Sequence, residues 1–192
     1  MTHSPVLDRD FYNRDTLRVA CDLLGKKLIR IKNGEKLSGT IVETEAYCGR
    51  RDSACHAHRG MTKRNAVMFG WPGHAYVYFT YGLHHLLNLV TGPPGNPCAV
   101  LIRAIEPLCG LQTMEANRKK RGRHLTDGPA KLCQALGIDL AFNGWDVTSG
   151  TQLWLEDTPE SKPRSIEATP RIGIPYATFE DREALWRFLL RP

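Results

Sequence analysis

From Thr40 to His58 the chain reads Thr-Ile-Val-Glu-Thr-Glu-Ala-Tyr-Cys-Gly-Arg-Arg-Asp-Ser-Ala-Cys-His-Ala-His. Its first half predicts a β-strand, and successive strand side chains point to opposite faces of a sheet. One face then carries Ile41, Glu43, Glu45 and Tyr47. Two carboxylates held this close repel each other when both are ionised. The pattern therefore indicates either a solvated strand edge or a site in which one carboxylate works as an acid or base.

The composition predicts one globular domain that binds an acidic partner. The chain has 192 residues, of which 42% are hydrophobic and 24% charged, which is ordinary for a globular protein with a sizeable core. The net charge of +6 favours nucleic acid ahead of a membrane surface. No apolar run approaches the roughly 20 residues that span a bilayer, and the first residues lack a signal-sequence pattern. We expect a cytoplasmic monomer, associated with the nucleoid if it is bacterial.

Six cysteines are scattered along the chain without a Cys-x-x-Cys pair. In a chain of this size with no export signal, free thiols are expected rather than disulfides. A structural zinc site is the alternative, although its candidate ligands have a spacing that fits no common zinc finger or ribbon. Those candidates are Cys48, Cys55, His56 and His58.

Strand and turn signals outside the acidic stretch indicate an α+β fold. Asn33-Gly34 is a hairpin turn that leads into the acidic strand, and residues 75–90 predict two strands joined by a turn near Gly82, with Tyr81 at its end. Residues 7–14 look extended. Helix signals cover residues 15–24, 108–118, 127–137 and, partly as strand, 181–190. Strands mixed with short helices, without a βαβ rhythm, are typical of α+β domains.

A single arginine interrupts an otherwise apolar strand predicted over residues 99–105. This residue, Arg103, must pair with a carboxylate or extend to solvent, because an unpaired buried guanidinium is too costly. Glu43 and Glu45 are available partners. We therefore expect Arg103 to lie beside the acidic strand.

Several short motifs occur in order along the chain. They are Glu43-Thr-Glu-Ala-Tyr47, His56, Gly60-x-Thr62-x-Arg64-Asn65, Met68-Phe69, Pro72-Gly73, Tyr76-Val-Tyr-x-x-Tyr-Gly82, Asn88, Leu101-Ile-Arg-Ala-x-Glu-Pro107 and Gly128-Pro-x-x-Leu132. Together they closely resemble the alkyladenine (3-methyladenine) DNA glycosylase family, the monofunctional base-excision enzymes of the mammalian type, in a short bacterial version. The resemblance runs from about residue 7 to the C-terminus. It implies a single compact α+β domain with a curved antiparallel sheet, short surrounding helices, no metal or cofactor, and a protruding β-hairpin that enters the DNA minor groove.

The resemblance also implies a chemistry. A damaged purine would be flipped out of duplex DNA, because an enzyme cannot reach its target bond inside the base stack. Glu45 would be the base that activates a water molecule, and Arg103 its partner, with Glu43 as supporting structure. The implied contacts to the flipped base or the water are Tyr47, His56, Tyr78, Asn88 and the main-chain carbonyl of Ile172.

Contacts to the DNA outside the pocket follow from the same resemblance. Tyr81 matches the wedge side chain that fills the gap left by the flipped nucleotide, and Leu83 beside it would add an apolar contact. The predicted strands place no lysine toward the pocket, so we expect simple hydrolysis that leaves an abasic site without strand cleavage. Candidate phosphate contacts, which could equally be solvated surface residues, are Lys63, Arg64, Arg118 and Lys119.

Two other functions remain open on the sequence alone. A metal-dependent nuclease would use as ligands Glu43, Glu45, Asp52, His56 and His58. A non-catalytic basic module would bind nucleic acid by stacking on Tyr76, Tyr78 and Tyr81. The sequence also leaves open which lesion is preferred among 3-methyladenine, 7-methylguanine, hypoxanthine and etheno-adenine.

Overall fold

The acidic strand is the central strand of a sheet. The computed structural model describes residues 5–80, 82–122, 124–158 and 165–191. In this part of the chain eight strands form one sheet, and every paired neighbour is antiparallel. The strands are β1 (Lys27–Lys32), β2 (Glu35–Tyr47), β3 (Ala75–Thr80), β4 (His84–Thr91), β5 (Cys98–Cys109), β6 (Leu153–Glu156), β7 (Ser165–Thr169) and β8 (Arg187–Arg191).

Both edges of β2 are paired along most of its length. One edge pairs with β5, while the other pairs with β1 through residues 35–40 and with β8 through residues 43–45. The sheet order is β3-β4-β5-β2-β1-β6, and β7 pairs with β8. The second half of β2, which carries the two glutamates, is therefore enclosed between β5 and β8.

Irregular pairing in β2 changes which side chains share a face. The register with β5 shifts between Ile41 and Glu43, as a β-bulge produces when one strand contains an extra residue. Ile41 packs in the main core with Ala46, whereas Glu43 and Glu45 both pair with Arg103. The prediction that Ile41 lies with the two glutamates is wrong, because regular alternation does not allow for the bulge.

Five short helices surround the sheet in the described residues. They are α1 (Arg9–Tyr12), α2 (Thr16–Asp22), α3 (Leu111–Arg118), α4 (Pro129–Leu136) and α5 (Phe179–Glu183). Helix α2 begins as predicted, because Asp15 caps it by accepting a 3.0 Å hydrogen bond from the N–H of Arg18. Helices α2 and α4 pack against β2, β4 and β5. The single compact α+β domain predicted from the sequence is confirmed.

Three sequence-based boundaries differ from the structure. Residues 7–14 are not all extended, because Asp8 caps α1. The helix expected over residues 108–118 is shorter, since β5 continues to Cys109 and Gly110, with a φ of 78°, turns the chain into α3. Residues 181–190 divide between the end of α5 and the start of β8. In each case the apolar pattern locates an element but does not mark where the chain turns.

The tyrosine-rich strand β3 and its neighbour β4 form an antiparallel pair that extends to Thr80 and His84. The candidate wedge Tyr81 lies outside the described residues. Leu83, its predicted companion, is 74% exposed. The connection between β3 and β4 thus presents an apolar side chain to solvent. None of the described helices is long and apolar enough to cross a membrane.

Candidate active site

Glu45 lies at the centre of a hydrogen-bond network in the interior. Its side chain has no exposed surface. Oε1 accepts a 2.8 Å hydrogen bond from the main-chain N–H of Ile172. Oε2 accepts one of 2.9 Å from the hydroxyl of Tyr47 and lies 3.2 Å from Nη1 of Arg103. Buried charges require such partners: Ile172 and Tyr47 donate hydrogen bonds to the carboxylate, and Arg103 adds an ion pair.

Glu43, two residues earlier, is held by two arginines. Its Oε1 accepts 2.6 Å hydrogen bonds from Nε of Arg103 and from Nε of Arg187. The two guanidinium groups offset the repulsion between Glu43 and Glu45 that the sequence pattern suggests. Arg103 lies beside the acidic strand, as expected, and pairs with both available glutamates, whereas Arg187, contributed by β8, was not identified from the sequence.

Electrostatics keep Arg103 and Tyr47 in their protonated forms. Burial alone would lower the pKa of Arg103, but Glu45 and Glu43 outweigh it and raise that pKa above its ordinary value. Burial, together with the charge of Glu45 and the hydrogen bond to it, raises the pKa of Tyr47 well above its usual range. At neutral pH Tyr47 therefore remains a hydrogen-bond donor to Glu45, and Arg103 remains its cationic partner.

An aromatic cavity of about 30 Å³ lies beside this network. That volume corresponds to roughly one water molecule, so a purine would need the lining side chains to separate. The cavity is lined by Tyr47, Ala54, Cys55, His56, Met68, Tyr76, Tyr78, Asn88, Ala99 and Tyr176. The structure thus brings together four of the predicted base-binding residues. Ile172 is not in the lining; its N–H contacts Glu45, and a role for its carbonyl stays a prediction.

His56 is fixed within this cavity by two tyrosines. Its Nδ1 is 2.9 Å from the hydroxyl of Tyr76, and its ring lies 4.5 Å from that of Tyr78 at an angle of 76°. Burial and then the positive charge of Arg64 lower the pKa of His56 to about 4. The imidazole is therefore neutral at physiological pH.

Asn88, which lines the cavity, is held in one orientation. It is buried, and its Nδ2 donates a 3.1 Å hydrogen bond to the carbonyl of Tyr76 on the neighbouring strand. Because the amide is already engaged, rotating it away from a bound base would cost that side-chain hydrogen bond.

The basic candidates lie in two separate places. Lys63 and Arg64 are exposed, and the guanidinium of Arg64 is 5.0 Å from the centre of the Tyr78 ring at the cavity. Arg118 belongs to α3 and donates to Gln134 of α4, and Lys119 follows it. Helix α4 packs in the main core with Leu87 and Leu89 of β4. Asn88 lies between these two leucines, so its side chain points to the opposite face of the sheet from α4. Arg64 therefore lies at the cavity, with Lys63 next to it in the chain, whereas Arg118 lies away from the cavity.

The carboxylates and imidazoles of the alternative metal site do not converge. In the described ranges, which include all its candidate ligands, no three His, Cys, Asp or Glu side chains are grouped so that they could hold a metal ion. Asp52 instead forms an ion pair with Arg171, and Nδ1 of His58 is bonded to the carbonyl of Arg50. The six cysteines are free thiols, as predicted.

Apart from Ile172, sequence reasoning missed the part of the site that the C-terminal segment supplies. Arg171, Tyr176 and Arg187 contact loop or strand residues more than 100 positions earlier in the chain. No periodic pattern connects such distant positions. One signal was available: Arg171 directly precedes the apolar residues 172–174. Like Arg103, an arginine in such a place requires a carboxylate partner if it is buried.

The two causes of the His56 shift predict its titration. The His56 ring proton signal in NMR should change only near pH 4, and Arg64→Gln should move this midpoint upward, because it removes a positive charge that opposes protonation. The unfolded chain takes up the proton near pH 6.5, so His56 makes folding less favourable as pH falls through the interval between the two values. Lys63→Gln is the matched control and should leave the midpoint unchanged. A wild-type midpoint near 6.5 would contradict the burial of the ring.

Comparison with known proteins assigns the chain to a family. The model of the methylpurine-DNA glycosylase family matches residues 10–192. A protein of Methanocella arvoryzae is 54% identical over 186 residues, covering 96% of this chain and 92% of its own length. Proteins of Carboxydothermus hydrogenoformans (54% identical, 88% of each chain) and Desulfitobacterium hafniense (47% identical, 96% and 94%) are similar as well. All three are named "Putative 3-methyladenine DNA glycosylase". The chain belongs to the methylpurine-DNA glycosylase family.

Proposed function

We propose that this protein is a DNA repair glycosylase that acts as a monomer on double-stranded DNA. It would flip an alkylated or deaminated purine out of the helix, hydrolyse the N-glycosidic bond and leave an abasic site. The family match and the names of the relatives support the class of reaction. The observation that carries the mechanism is a fully buried glutamate, held by two hydrogen-bond donors and one arginine, next to an aromatic cavity.

Glu45 is proposed to be the general base. Oε2 already receives the Tyr47 hydroxyl and lies next to Arg103, whereas Oε1 receives the Ile172 N–H alone among the described residues. A water molecule would donate to the remaining lone pair of Oε1. As its oxygen attacks C1′ of the flipped nucleotide, the proton passes to Glu45 and the purine departs with the electrons of the glycosidic bond.

The aromatic walls suit the proposed substrates. A purine methylated at N3 or N7 is cationic and is attracted to the faces of aromatic rings, and it leaves as a neutral base without needing a proton. A neutral lesion such as hypoxanthine requires a tighter fit or protonation of the leaving group. Tyr47, His56 and Tyr78 would surround either base, and the fixed amide of Asn88 would crowd the 2-amino group of an undamaged guanine.

The reaction proposed is hydrolysis without strand cleavage. A lyase needs an amine that forms a Schiff base with the sugar, and among the described residues lining the cavity there is no lysine. Glu45, by contrast, can activate water directly. This supports a monofunctional enzyme.

The proposed DNA contacts rest on the resemblance to the glycosylase family and on the exposure of Leu83, Lys63 and Arg64. Tyr81, between the paired strands β3 and β4, would occupy the gap in the helix, with Leu83 next to it. Lys63 and Arg64 would contact phosphates close to the flipped nucleotide. Arg118 and Lys119 remain candidates, although they lie with the helices and not at the cavity.

Substitution of the proposed base tests this mechanism. Glu45→Gln should retain binding to lesion-containing duplex and lose base release by about 10²- to 10⁴-fold, the usual contribution of a general base. Single-turnover rates measured with excess enzyme and with EDTA report the chemical step. Glu106→Gln is the control, because Glu106 is an exposed carboxylate on the adjacent β5. Excision by Glu45→Gln at the wild-type rate would refute the role of Glu45, and loss of wild-type activity in EDTA would favour the metal-dependent alternative.

The wedge assignment has its own test. Tyr81→Ala should reduce the preference for lesion duplex over undamaged duplex, because the gap left by the flipped nucleotide is no longer filled. Leu83→Ala should have a smaller effect in the same direction, and both are measured by competition binding. Leu111→Ala removes an exposed leucine from the start of α3, a helix that packs mainly against α4, and should change nothing. An unaltered preference in Tyr81→Ala would show that another side chain is the wedge.

A further inference from the structure

A buried ion pair joins two segments that flank the candidate site. The guanidinium of Arg171 donates to both carboxylate oxygens of Asp52, at 2.6 Å and 2.8 Å, and neither side chain has any exposed surface. Burying two charges is costly, and apolar side chains of similar volume often stabilise a fold as well or better. A gain in stability is therefore a weak explanation for this ion pair. The alternative is that the pair fixes the geometry of the segments that it joins.

Arg171 connects three parts of the chain. Besides Asp52, it donates to the carbonyl of Ala46 at 2.9 Å and to that of Asp181 at 3.1 Å. Its guanidinium carbon lies 4.9 Å from the ring centres of both Tyr47 and Trp186. The planar guanidinium is thus fixed by the end of β2, by the loop that follows it and by the C-terminal segment.

Asp52 organises the loop on the other side of the pair. Its carboxylate accepts hydrogen bonds of 3.0 Å from the N–H groups of Cys48 and Ala54. The carbonyl of Ala54 in turn accepts a 3.0 Å hydrogen bond from the hydroxyl of Tyr176. This loop continues directly into Cys55 and His56 of the cavity wall, so the ion pair also fixes that wall.

Both hydrogen bonds that Glu45 accepts from the described residues depend on Arg171. Ile172 is the next residue in the chain, so its N–H, which donates to Oε1 of Glu45, cannot shift independently of the Arg171 backbone. The ring of Tyr47, whose hydroxyl donates to Oε2, lies against the Arg171 guanidinium. Arg103 reaches Glu45 from β5 and is independent of this arrangement.

We propose that Arg171, locked by Asp52, is a positioning residue that aims the Glu45 carboxylate and keeps it in register with the base-binding wall. This inference rests on the proposed function of Glu45 as the general base. Arg171 touches neither water nor substrate in this account and acts through the Ile172 N–H and the Tyr47 ring. Displacing a reacting group by about 1 Å can reduce a rate by about 100-fold, so a lost anchor should be visible in the chemical step.

Arg171→Lys is the primary test, because it retains the positive charge and removes the bidentate fork. The single-turnover rate of hypoxanthine release from a duplex should fall about 10- to 100-fold, while the Kd for the same duplex changes less than about threefold. Arg9→Lys is the matched control: Arg9 likewise donates to a carboxylate, that of Asp146, and to the carbonyl of Pro72, both at 2.6 Å. It should lower Tm and leave the rate unchanged.

Asp52→Asn is the second variant, and it should show the same separation of rate from binding. A double-mutant cycle with Glu45→Asp distinguishes positioning from general loosening. In Glu45→Asp the shorter carboxylate no longer reaches the Ile172 N–H. If Arg171 acts through that contact, adding Arg171→Lys removes nothing further and should lower the rate of the double variant less than about threefold.

The outcomes are decisive for each level of the account. Equal rates for Arg171→Lys and wild type, or a full additional loss on top of Glu45→Asp, would overturn the positioning role. Failure of both Arg171→Lys and Asp52→Asn to fold would assign the pair to folding alone and overturn it as well. Unchanged base release by Glu45→Gln would instead overturn the proposed function itself.

Discussion

The compensation of two neighbouring carboxylates on one strand, one fully buried and one partly buried, is the constraint on which the rest of this site depends. Glu43 and Glu45 could not both be ionised in the interior without nearby positive charge and donors, because an isolated buried charge is far too costly. The required groups arrive from three directions: Arg103 from β5, Arg187 from β8 and the Ile172 N–H from the C-terminal segment. The position of β2 between β5 and β8 is therefore what makes the acidic pair possible.

The same arrangement separates two tasks between neighbouring surfaces. The arginines and the Ile172 N–H surround the carboxylates, while tyrosines and His56 from β3 and the adjoining loop form a cavity whose histidine is neutral. Tyr47 belongs to both, since its ring lines the cavity and its hydroxyl donates to Glu45. In the proposed reaction Tyr47 would help to place the flipped base and the activated water on opposite sides of C1′, at the two ends of the glycosidic bond that breaks and the bond that forms.

Sequence reasoning recovered the parts of this site that local patterns encode. Alternation identified the strand with Glu43 and Glu45, and an arginine within an apolar strand identified Arg103 as their partner. Regular alternation failed at Ile41, because a bulge adds a residue that no composition signal marks. Arg187 and the pair of Asp52 with Arg171 were missed because their contacts join positions more than 100 residues apart, in a C-terminal segment whose prolines and glycines leave no periodicity to interpret.

The central claim is that this protein releases damaged purines by metal-independent hydrolysis. Its most direct test is a single-turnover assay of the intact protein, in EDTA, on duplexes containing 3-methyladenine, 7-methylguanine, hypoxanthine or etheno-adenine, with the free base and the state of the strand both measured. The account predicts release of at least one of these bases, an abasic site in an unbroken strand, and no comparable release from undamaged duplex. Folded protein that releases none of the four bases, or that cleaves the strand only when a divalent metal is restored, would contradict it.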